Sequence, residues 1–125
     1  MIHGIGTDIV EIKRIAEMKS FDAFANKILS ENELSIFREI KDAKKASFLA
    51  KQFAGKEAIA KAFGTGFKNS IQMSNIEVLR DEAGKPIFNA LNELSEKMID
   101  LGITKTHVSL ADERDYATAF AILEI

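Results

Sequence analysis

The chain has 125 residues, of which 46% are hydrophobic and 29% charged, with no cysteine and a net charge of −2. These values predict one globular domain over residues 1–125 and exclude a disordered or a disulfide-held chain. No apolar run approaches the ~20 residues of a membrane span, and the first residues lack the pattern of a secretory signal. We therefore expect a cytoplasmic protein without a membrane partner, and the acidic balance argues against nucleic acid.

Charge is divided unevenly along the chain. Residues 1–68 hold 12 Lys and Arg against 9 Asp and Glu, whereas residues 69–125 hold 5 against 10. An acidic partner would therefore meet the N-terminal half, although an ordinary solvated surface explains the same pattern equally well.

Alternating residues at the start of the chain predict a strand over Ile2–Val10, which leads into a short helix. This alternation places Gly4, Gly6 and Asp8 on one face. Glycine inside a strand usually marks a bulge or a place where something approaches the backbone closely. Asp8 is thus expected on the glycine face of the strand.

Helical patterns follow this strand. Phe21–Leu29 predicts one helix, and Ser30–Glu33 has the form of a capping box that starts another. Asp42 is predicted to cap the longest helix, over Ala43–Phe63, which ends at Gly64 as helices commonly end. Its apolar residues lie on more than one side, so we expect it to be the central helix of the domain.

Two hairpins are predicted in the second half. In the first, Asn75–Arg80 and Ile87–Phe88 flank a loop that contains a glycine and the only proline. In the second, Thr106–Leu110 and Tyr116–Ile125 flank a charged turn.

Between the hairpins, Asn89 is predicted to cap a helix that closes at Gly102. Helices that precede hairpins indicate an α+β fold. We therefore expect a single domain with a long central helix, several short helices and a mainly antiparallel sheet.

Glu57 and Lys61 are spaced four residues apart on the long helix and therefore share one helical face. Gly64 and Gly66 follow at the helix end, where free backbone amides can form an anion-binding loop. Asp8 offers a second carboxylate, and Mg²⁺ is commonly held by one or two carboxylates together with phosphate oxygens. These residues indicate a metal and phosphate site.

Each of these residues also has a plainer interpretation. A Glu–Lys pair at this spacing is common on helix surfaces. Asp8 could be the N-cap of a helix that begins near Ile9, with Glu11 as its capping-box partner. His107 and Ser109 share a strand face and could both point into a cleft, but a lone histidine is more often structural.

Five segments stand in the order of a known family: Ile5–Ile15, Phe53–Gly66, Asn75–Val78, Gly84–Pro86 and His107–Leu110. The N-terminal Gly-x-Asp strand combined with Phe-Ala-x-Lys-Glu-x-x-x-Lys-Ala-x-Gly-Thr-Gly is highly specific. In these segments the chain resembles the holo-[acyl-carrier-protein] synthases, the small bacterial type of 4′-phosphopantetheinyl transferase. The resemblance covers essentially the whole chain and implies the fold of that family.

This resemblance implies Mg²⁺-dependent transfer of 4′-phosphopantetheine from coenzyme A to a serine of apo-acyl carrier protein. Adenosine 3′,5′-bisphosphate would be released, and the reaction would support fatty acid biosynthesis. The implied catalytic residues are Asp8 and Glu57, which would hold the metal, and Lys61, near the pyrophosphate. Either Glu57 or a water on the metal could accept the serine proton. The alternative is a non-catalytic coenzyme A- or nucleotide-binding module of the same fold, against which the intact site residues argue.

Binding surfaces are implied by the same resemblance. The residues implied to contact coenzyme A are Lys61, Gly64, Thr65, Gly66 and His107. The residues implied to dock the acidic carrier protein are Lys13, Arg14 and Lys27. Members of this family form homotrimers with active sites between subunits, so the resemblance implies that assembly here.

The chain departs from the family at three places. Gln52 stands where relatives often have a basic residue that contacts coenzyme A phosphate, and Ala111–Asp112 replaces a Ser-His or Thr-His pair of many relatives. Phe21 and Phe24 lie where some relatives have arginines that grip the carrier. These differences bear on ligand affinity and docking rather than on the metal pair.

Overall fold

The α+β fold predicted from the sequence is confirmed by a computed structural model, which describes residues 1–68 and 71–125. No helix in these residues has the length and apolar character needed to cross a membrane. The elements follow the chain in this order: β1 (Ile2–Glu11), α1 (Ile12–Ala16), α2 (Phe21–Ile28), α3 (Glu31–Glu39), α4 (Asp42–Phe63), a 3₁₀ turn (Met73–Asn75), β2 (Ile76–Arg80), β3 (Pro86–Ala90), α5 (Glu93–Asp100), β4 (Lys105–Asp112) and β5 (Tyr116–Glu124).

The strands form two antiparallel sheets in the described part of the chain. β5 lies between β1 and β4 in a three-stranded sheet, and β2 pairs with β3 in a separate hairpin. In the larger sheet Asp8 lies opposite Ala119, and Ala119 lies opposite Leu110. α4 packs across one face of this sheet and also contacts α1 and β2. It is therefore the central helix, buried on more than one side, as the sequence predicted.

Small residues line the interface between α4 and the sheet. The buried alanines there are Ala117, Ala119 and Ala121 on β5, and Ala50, Ala54, Ala58 and Ala62 on α4. Because these side chains are short, the helix can lie close to the strands. Larger buried residues, including Leu49, Ile59 and Leu123, fill the remaining core.

Two glycines mark the place where β1 and α4 come closest. A Cβ atom added at Gly6 would lie 1.8 Å from the carbonyl oxygen of Ala58, and one added at Gly4 would lie 2.0 Å from that of Ala62. The close approach predicted from the glycines is therefore confirmed, and its partner is the backbone of α4. Asp8 is the next β1 residue on this face, so the contact brings its carboxylate to the helix.

Two predicted helix caps are wrong. Asp42 is the first residue of α4, whose N-cap is Lys41; its side chain lies on the helix surface and pairs with Lys45 at 3.3 Å. Asn89 lies within β3, because the backbone pairing of the first hairpin continues as far as Ala90. The last helix therefore begins only at Glu93.

Gly6→Ala should destabilise the protein by about 1–3 kcal/mol or more, the usual cost of overpacking, because the new methyl group meets rigid backbone. Gly55→Ala is the matched control on α4, where the nearest atom belongs to the flexible side chain of Leu110 at 3.1 Å. That substitution should be nearly neutral, since alanine favours the helix. Urea unfolding measures both variants, and equal effects would contradict the proposed role of Gly6.

Candidate active site

Asp8, Glu57 and Lys61 lie together where β1 meets α4. Lys61 Nζ is 3.4 Å from Asp8 Oδ1 and donates a hydrogen bond of 2.9 Å to the carbonyl oxygen of Thr7. Glu57 lies one helical turn before Lys61 and interacts electrostatically with both other residues. Asp8 is in the middle of a strand and α1 begins only at Ile12, so Asp8 is not the N-cap that the sequence also allowed.

The surroundings of Glu57 raise the pKa of its carboxyl group. Partial burial is the largest cause, because desolvation disfavours the charged form, and the negative charge of Asp8 adds to it. Lys61 and Arg14 oppose this rise in the pKa by favouring the carboxylate. A carboxyl group whose ionisation is made costly by burial and a second carboxylate is typical of functional sites.

Asp8 and Glu57, called the carboxylate pair below, form a donor set that fits Mg²⁺. A cation between them would relieve the repulsion that contributes to the raised pKa of Glu57. In residues 1–68 and 71–125 there is no cluster of three or more His, Cys, Asp or Glu side chains suited to a metal. The pair would therefore depend on ligand oxygens and water for its remaining coordination, which is how Mg²⁺ is commonly bound beside phosphates.

The glycine loop after α4 has the backbone conformation that the sequence predicted. Gly64 has a φ of 86° and ends the helix in the left-handed region, and Gly66 has a φ of 70°. Both angles favour glycine. Gly64 and Thr65 are exposed, so a ligand can approach the loop. A helix C-terminus is unfavourable for phosphate, and the ammonium group of Lys61 in the last turn supplies the compensating charge.

An open pocket of about 520 Å³ lies between α2, α4 and the segment that precedes β2. Its walls are mainly apolar and include Phe24, Phe53 and Met73, with Lys27 among the lining residues. The rings of Phe24 and Phe53 contact each other with centroids 5.4 Å apart. Because Phe53 precedes Glu57 by one helical turn, the pocket adjoins the candidate site.

Lys13 and Arg14 lie exposed on α1, and α1 packs against α4. Arg14 is close enough to oppose the rise in the pKa of Glu57, whereas Lys13 forms an exposed 3.9 Å ion pair with Glu17. Of the three predicted docking residues, Arg14 therefore lies near Glu57, and Lys27 lines the pocket.

His107 does not join these residues within one chain. The register of the sheet places it in a row with Ile122 and Ile5, on the face that points away from α4. Its Nε2 lies 2.7 Å from Glu124 Oε2, and the hydrogen bond from His107 lowers the pKa of the Glu124 carboxyl group. Ser109 shares this outward face, as the strand alternation predicted.

Sequence reasoning missed a buried ion pair next to the site. Lys56 Nζ lies 2.7 Å from Glu33 Oε1, and both side chains are fully buried. Lys56 also donates hydrogen bonds to the carbonyl oxygens of Met73 and Ile76. Desolvation lowers the pKa of Lys56, and Glu33 opposes this effect. Removal of either partner would leave a buried charge unpaired, which is strongly destabilising.

Glu33 connects this pair to neighbouring elements. It accepts hydrogen bonds from Gln52 Nε2 at 2.6 Å, from the backbone N–H of Val78 at 2.9 Å and from that of Ser30 at 2.8 Å. The bond with Ser30 completes the predicted capping box. The network ties α3 and α4 to β2 and holds the segment that lines the pocket. Gln52 is buried and faces this network rather than the pocket or solvent.

Comparison with known proteins agrees with this fold and shows the family. The sequence profile of the 4′-phosphopantetheinyl transferase superfamily matches residues 4–121. The holo-[acyl-carrier-protein] synthase of Nitrosospira multiformis is 45% identical over 126 residues and 99% of each chain. That of a strain of Escherichia coli is 46% identical over 125 residues and 98% of each chain.

Solved structures give the same result. The crystal structure of holo-[acyl-carrier-protein] synthase from Neisseria meningitidis has a TM-score of 0.94 and 43% identity, and the match covers 100% of both chains. The Bacillus anthracis enzyme in complex with coenzyme A (3′,5′-ADP) has a TM-score of 0.83 and 36% identity, over 98% of this chain and 96% of that one. The fold and the sequence profile therefore define a phosphopantetheinyl transferase. Within that superfamily the chain belongs to the holo-[acyl-carrier-protein] synthase family and is an enzyme of that class.

The raised pKa of Glu57 predicts that its ionised form destabilises the metal-free protein. The folded state binds the Glu57 proton more tightly than the unfolded state does. Protonated Glu57 therefore stabilises the fold below the unfolded pKa, and this stabilisation is lost as the pH rises through the folded pKa. Glu57→Gln is uncharged throughout, and it should raise the melting temperature by a few degrees at about pH 7 and by less at about pH 4.

Calorimetry in the presence of a chelator measures this difference. Glu113→Gln, which changes an exposed carboxylate, is the control and should shift the melting temperature little at either pH. A melting temperature of Glu57→Gln below that of the wild type at about pH 7 would contradict the prediction.

Proposed function

We propose that this enzyme transfers 4′-phosphopantetheine from coenzyme A to a serine hydroxyl of apo-acyl carrier protein, releases adenosine 3′,5′-bisphosphate and supports fatty acid biosynthesis. The observation that carries the proposal is the meeting of Asp8, Glu57 and Lys61 at the contact of β1 with α4. The Bacillus anthracis relative, solved with coenzyme A, supports the choice of donor. The names of the relatives support the choice of acceptor.

The reaction determines what this chain must supply. The serine oxygen forms a bond to the phosphorus on the pantetheine side, the bridging P–O bond breaks, and the departing phosphate gains negative charge. Such transfers depend on positioning and charge neutralisation more than on covalent chemistry. Asp8 and Glu57 would hold Mg²⁺ on the pyrophosphate, where it neutralises charge on the leaving phosphate.

The remaining groups bind substrate and handle the proton. Lys61 would contact the pyrophosphate, and the loop of Gly64, Thr65 and Gly66, whose first two residues are exposed, would lie along coenzyme A. Glu57, whose pKa is raised by burial and by the charge of Asp8, is this chain's own candidate to accept the serine proton.

Carrier docking is proposed for the surface that surrounds the site. Lys13 and Arg14 on α1 and Lys27 on α2 are exposed cations, and they suit an acidic protein. The apolar pocket of Phe24 and Phe53 is lined by one of these cations, Lys27, and would receive apolar side chains of the carrier. A charged rim around an apolar centre is the usual composition of a protein interface.

We also propose a homotrimer with active sites between subunits. Ile5, Ile9 and Phe120 on the outward face of the sheet are 58%, 63% and 41% exposed, and an apolar surface of this kind marks an interaction site. His107 lies on the same face, away from its own carboxylate pair. Its proposed contact with coenzyme A therefore requires that it reach the site of a neighbouring chain.

Purified enzyme with Mg²⁺ and coenzyme A should add the mass of one phosphopantetheine group to an apo-acyl carrier protein. Glu57→Gln should lower kcat by at least about a hundredfold, the scale of losing one charge-stabilising group, while the protein stays folded. Mass spectrometry of the carrier measures the transfer. An unchanged carrier mass with intact binding of coenzyme A would favour the non-catalytic module, and near-normal activity of the variant would remove Glu57 from the site.

Mixing two inactive variants tests the shared site. Asp8→Asn and His107→Ala should each transfer poorly alone, but when co-assembled they should recover about a quarter of wild-type activity, because a quarter of the sites in a random symmetric oligomer combine intact residues from two chains. Light scattering gives the number of subunits. No recovery from a mixed oligomer would mean that the two residues do not act in one shared site.

A further inference from the structure

The ammonium group of Lys61 is bound to β1 by two contacts. It lies 3.4 Å from Asp8 Oδ1 and donates a 2.9 Å hydrogen bond to the carbonyl oxygen of Thr7. The Asp8 side chain is 17% exposed and that of Lys61 is 54% exposed. The positive charge of Lys61 therefore lies against Asp8, one of the two carboxylates that would bind a divalent cation.

Glu57 also has a cation nearby. Both Lys61 and Arg14 favour its ionised form, against the effects of burial and of Asp8. The two carboxylates are thus partly neutralised by the chain's own side chains. A divalent cation that bound here without another ligand would displace Lys61 from Asp8 or remain beside its positive charge, and either result weakens binding.

We propose that Lys61 acts as an internal counter-ion: its ammonium group pairs with Asp8 until coenzyme A binds, and it then moves to the pyrophosphate. The divalent cation then binds together with coenzyme A rather than before it. This inference rests on the proposed function, since it assumes that the carboxylate pair holds the metal. It assigns Lys61 a role in the order of binding, in addition to its contact with the pyrophosphate.

Reciprocal coupling follows from this arrangement. If coenzyme A removes Lys61 from Asp8, coenzyme A must tighten metal binding, and the metal must tighten coenzyme A binding by the same factor. Part of this coupling comes from phosphate oxygens that ligate the metal directly. Only the part that passes through Lys61 is lost when the ammonium group is removed.

Calorimetric titration with Mn²⁺ tests the inference without turnover. Wild type, Lys61→Gln and Lys85→Gln are titrated in the absence of carrier protein, with and without coenzyme A, and the binding of Mn²⁺ to coenzyme A alone is subtracted. Lys85 is an exposed lysine in the β2–β3 loop, so its substitution removes the same charge away from the site. Lys61 is half exposed, and its replacement should leave the fold intact.

Without coenzyme A, Lys61→Gln should bind Mn²⁺ about fivefold more tightly than wild type, the upper end of what one exposed ion pair contributes. Lys85→Gln should match wild type. Addition of coenzyme A should tighten Mn²⁺ binding by a larger factor in wild type than in Lys61→Gln. Equal or weaker binding of Mn²⁺ by Lys61→Gln without coenzyme A would overturn the inference.

Asp8→Asn separates this outcome from failure of the proposed function. If the carboxylate pair holds the metal, Asp8→Asn should weaken Mn²⁺ binding in the presence of coenzyme A, whatever Lys61 does. A result in which Asp8→Asn weakens binding but Lys61→Gln does not tighten it rejects only the counter-ion role. Unchanged Mn²⁺ binding in Asp8→Asn rejects the metal site and the inference with it.

Discussion

The contact of two backbones, without side chains between them, is the constraint on which the site depends. At Gly4 and Gly6 the strand β1 lies so close to α4 that a single methyl group would meet a carbonyl oxygen. The buried alanines on both layers permit this spacing. A wider gap would separate Asp8 from Lys61, and the 3.4 Å ion pair between them would not form.

Consecutive residues of α4 serve different purposes because a helix turns by about 100° per residue. Lys56 points into the interior, where it contacts Glu33 and two carbonyl oxygens, while Glu57 lies near Asp8 and Lys61. The buried network holds the helix against α3 and β2. The ionisable group beside it therefore stays on a rigid element, which suits a site that must present charges in a set geometry.

The two faces of the three-stranded sheet carry different residues. Its inner face, with Asp8, packs against α4, and its outer face presents exposed Ile5, Ile9 and Phe120 together with His107. Strand alternation makes this division unavoidable, since adjacent residues point to opposite sides. A site that uses both Asp8 and His107 thus needs more than one chain, and the apolar outer face is the surface on which we propose that chains meet.

Local sequence patterns were sufficient to predict much of the secondary structure of this protein. The capping box at Ser30, the glycine that ends α4 and both hairpins depend on neighbouring residues, and the structure confirms them. The caps assigned to Asp42 and Asn89 were wrong because several backbone conformations are open to such residues, and the continuing helix or strand decides among them.

For the candidate site, too, the sequence predicted some features and the structure supplied the others. The sequence alone pointed to the residues of the candidate site, because the spacing of Glu57, Lys61 and the glycines is local and Asp8 stands on the glycine face of β1 as a second carboxylate. Only the tertiary structure decided that Lys61 contacts Asp8, that burial raises the pKa of Glu57, that Lys56 and Glu33 form a buried pair, and that His107 faces away. These relations join segments far apart in the chain, and their distances follow from how closely helix and sheet pack, which no local pattern specifies.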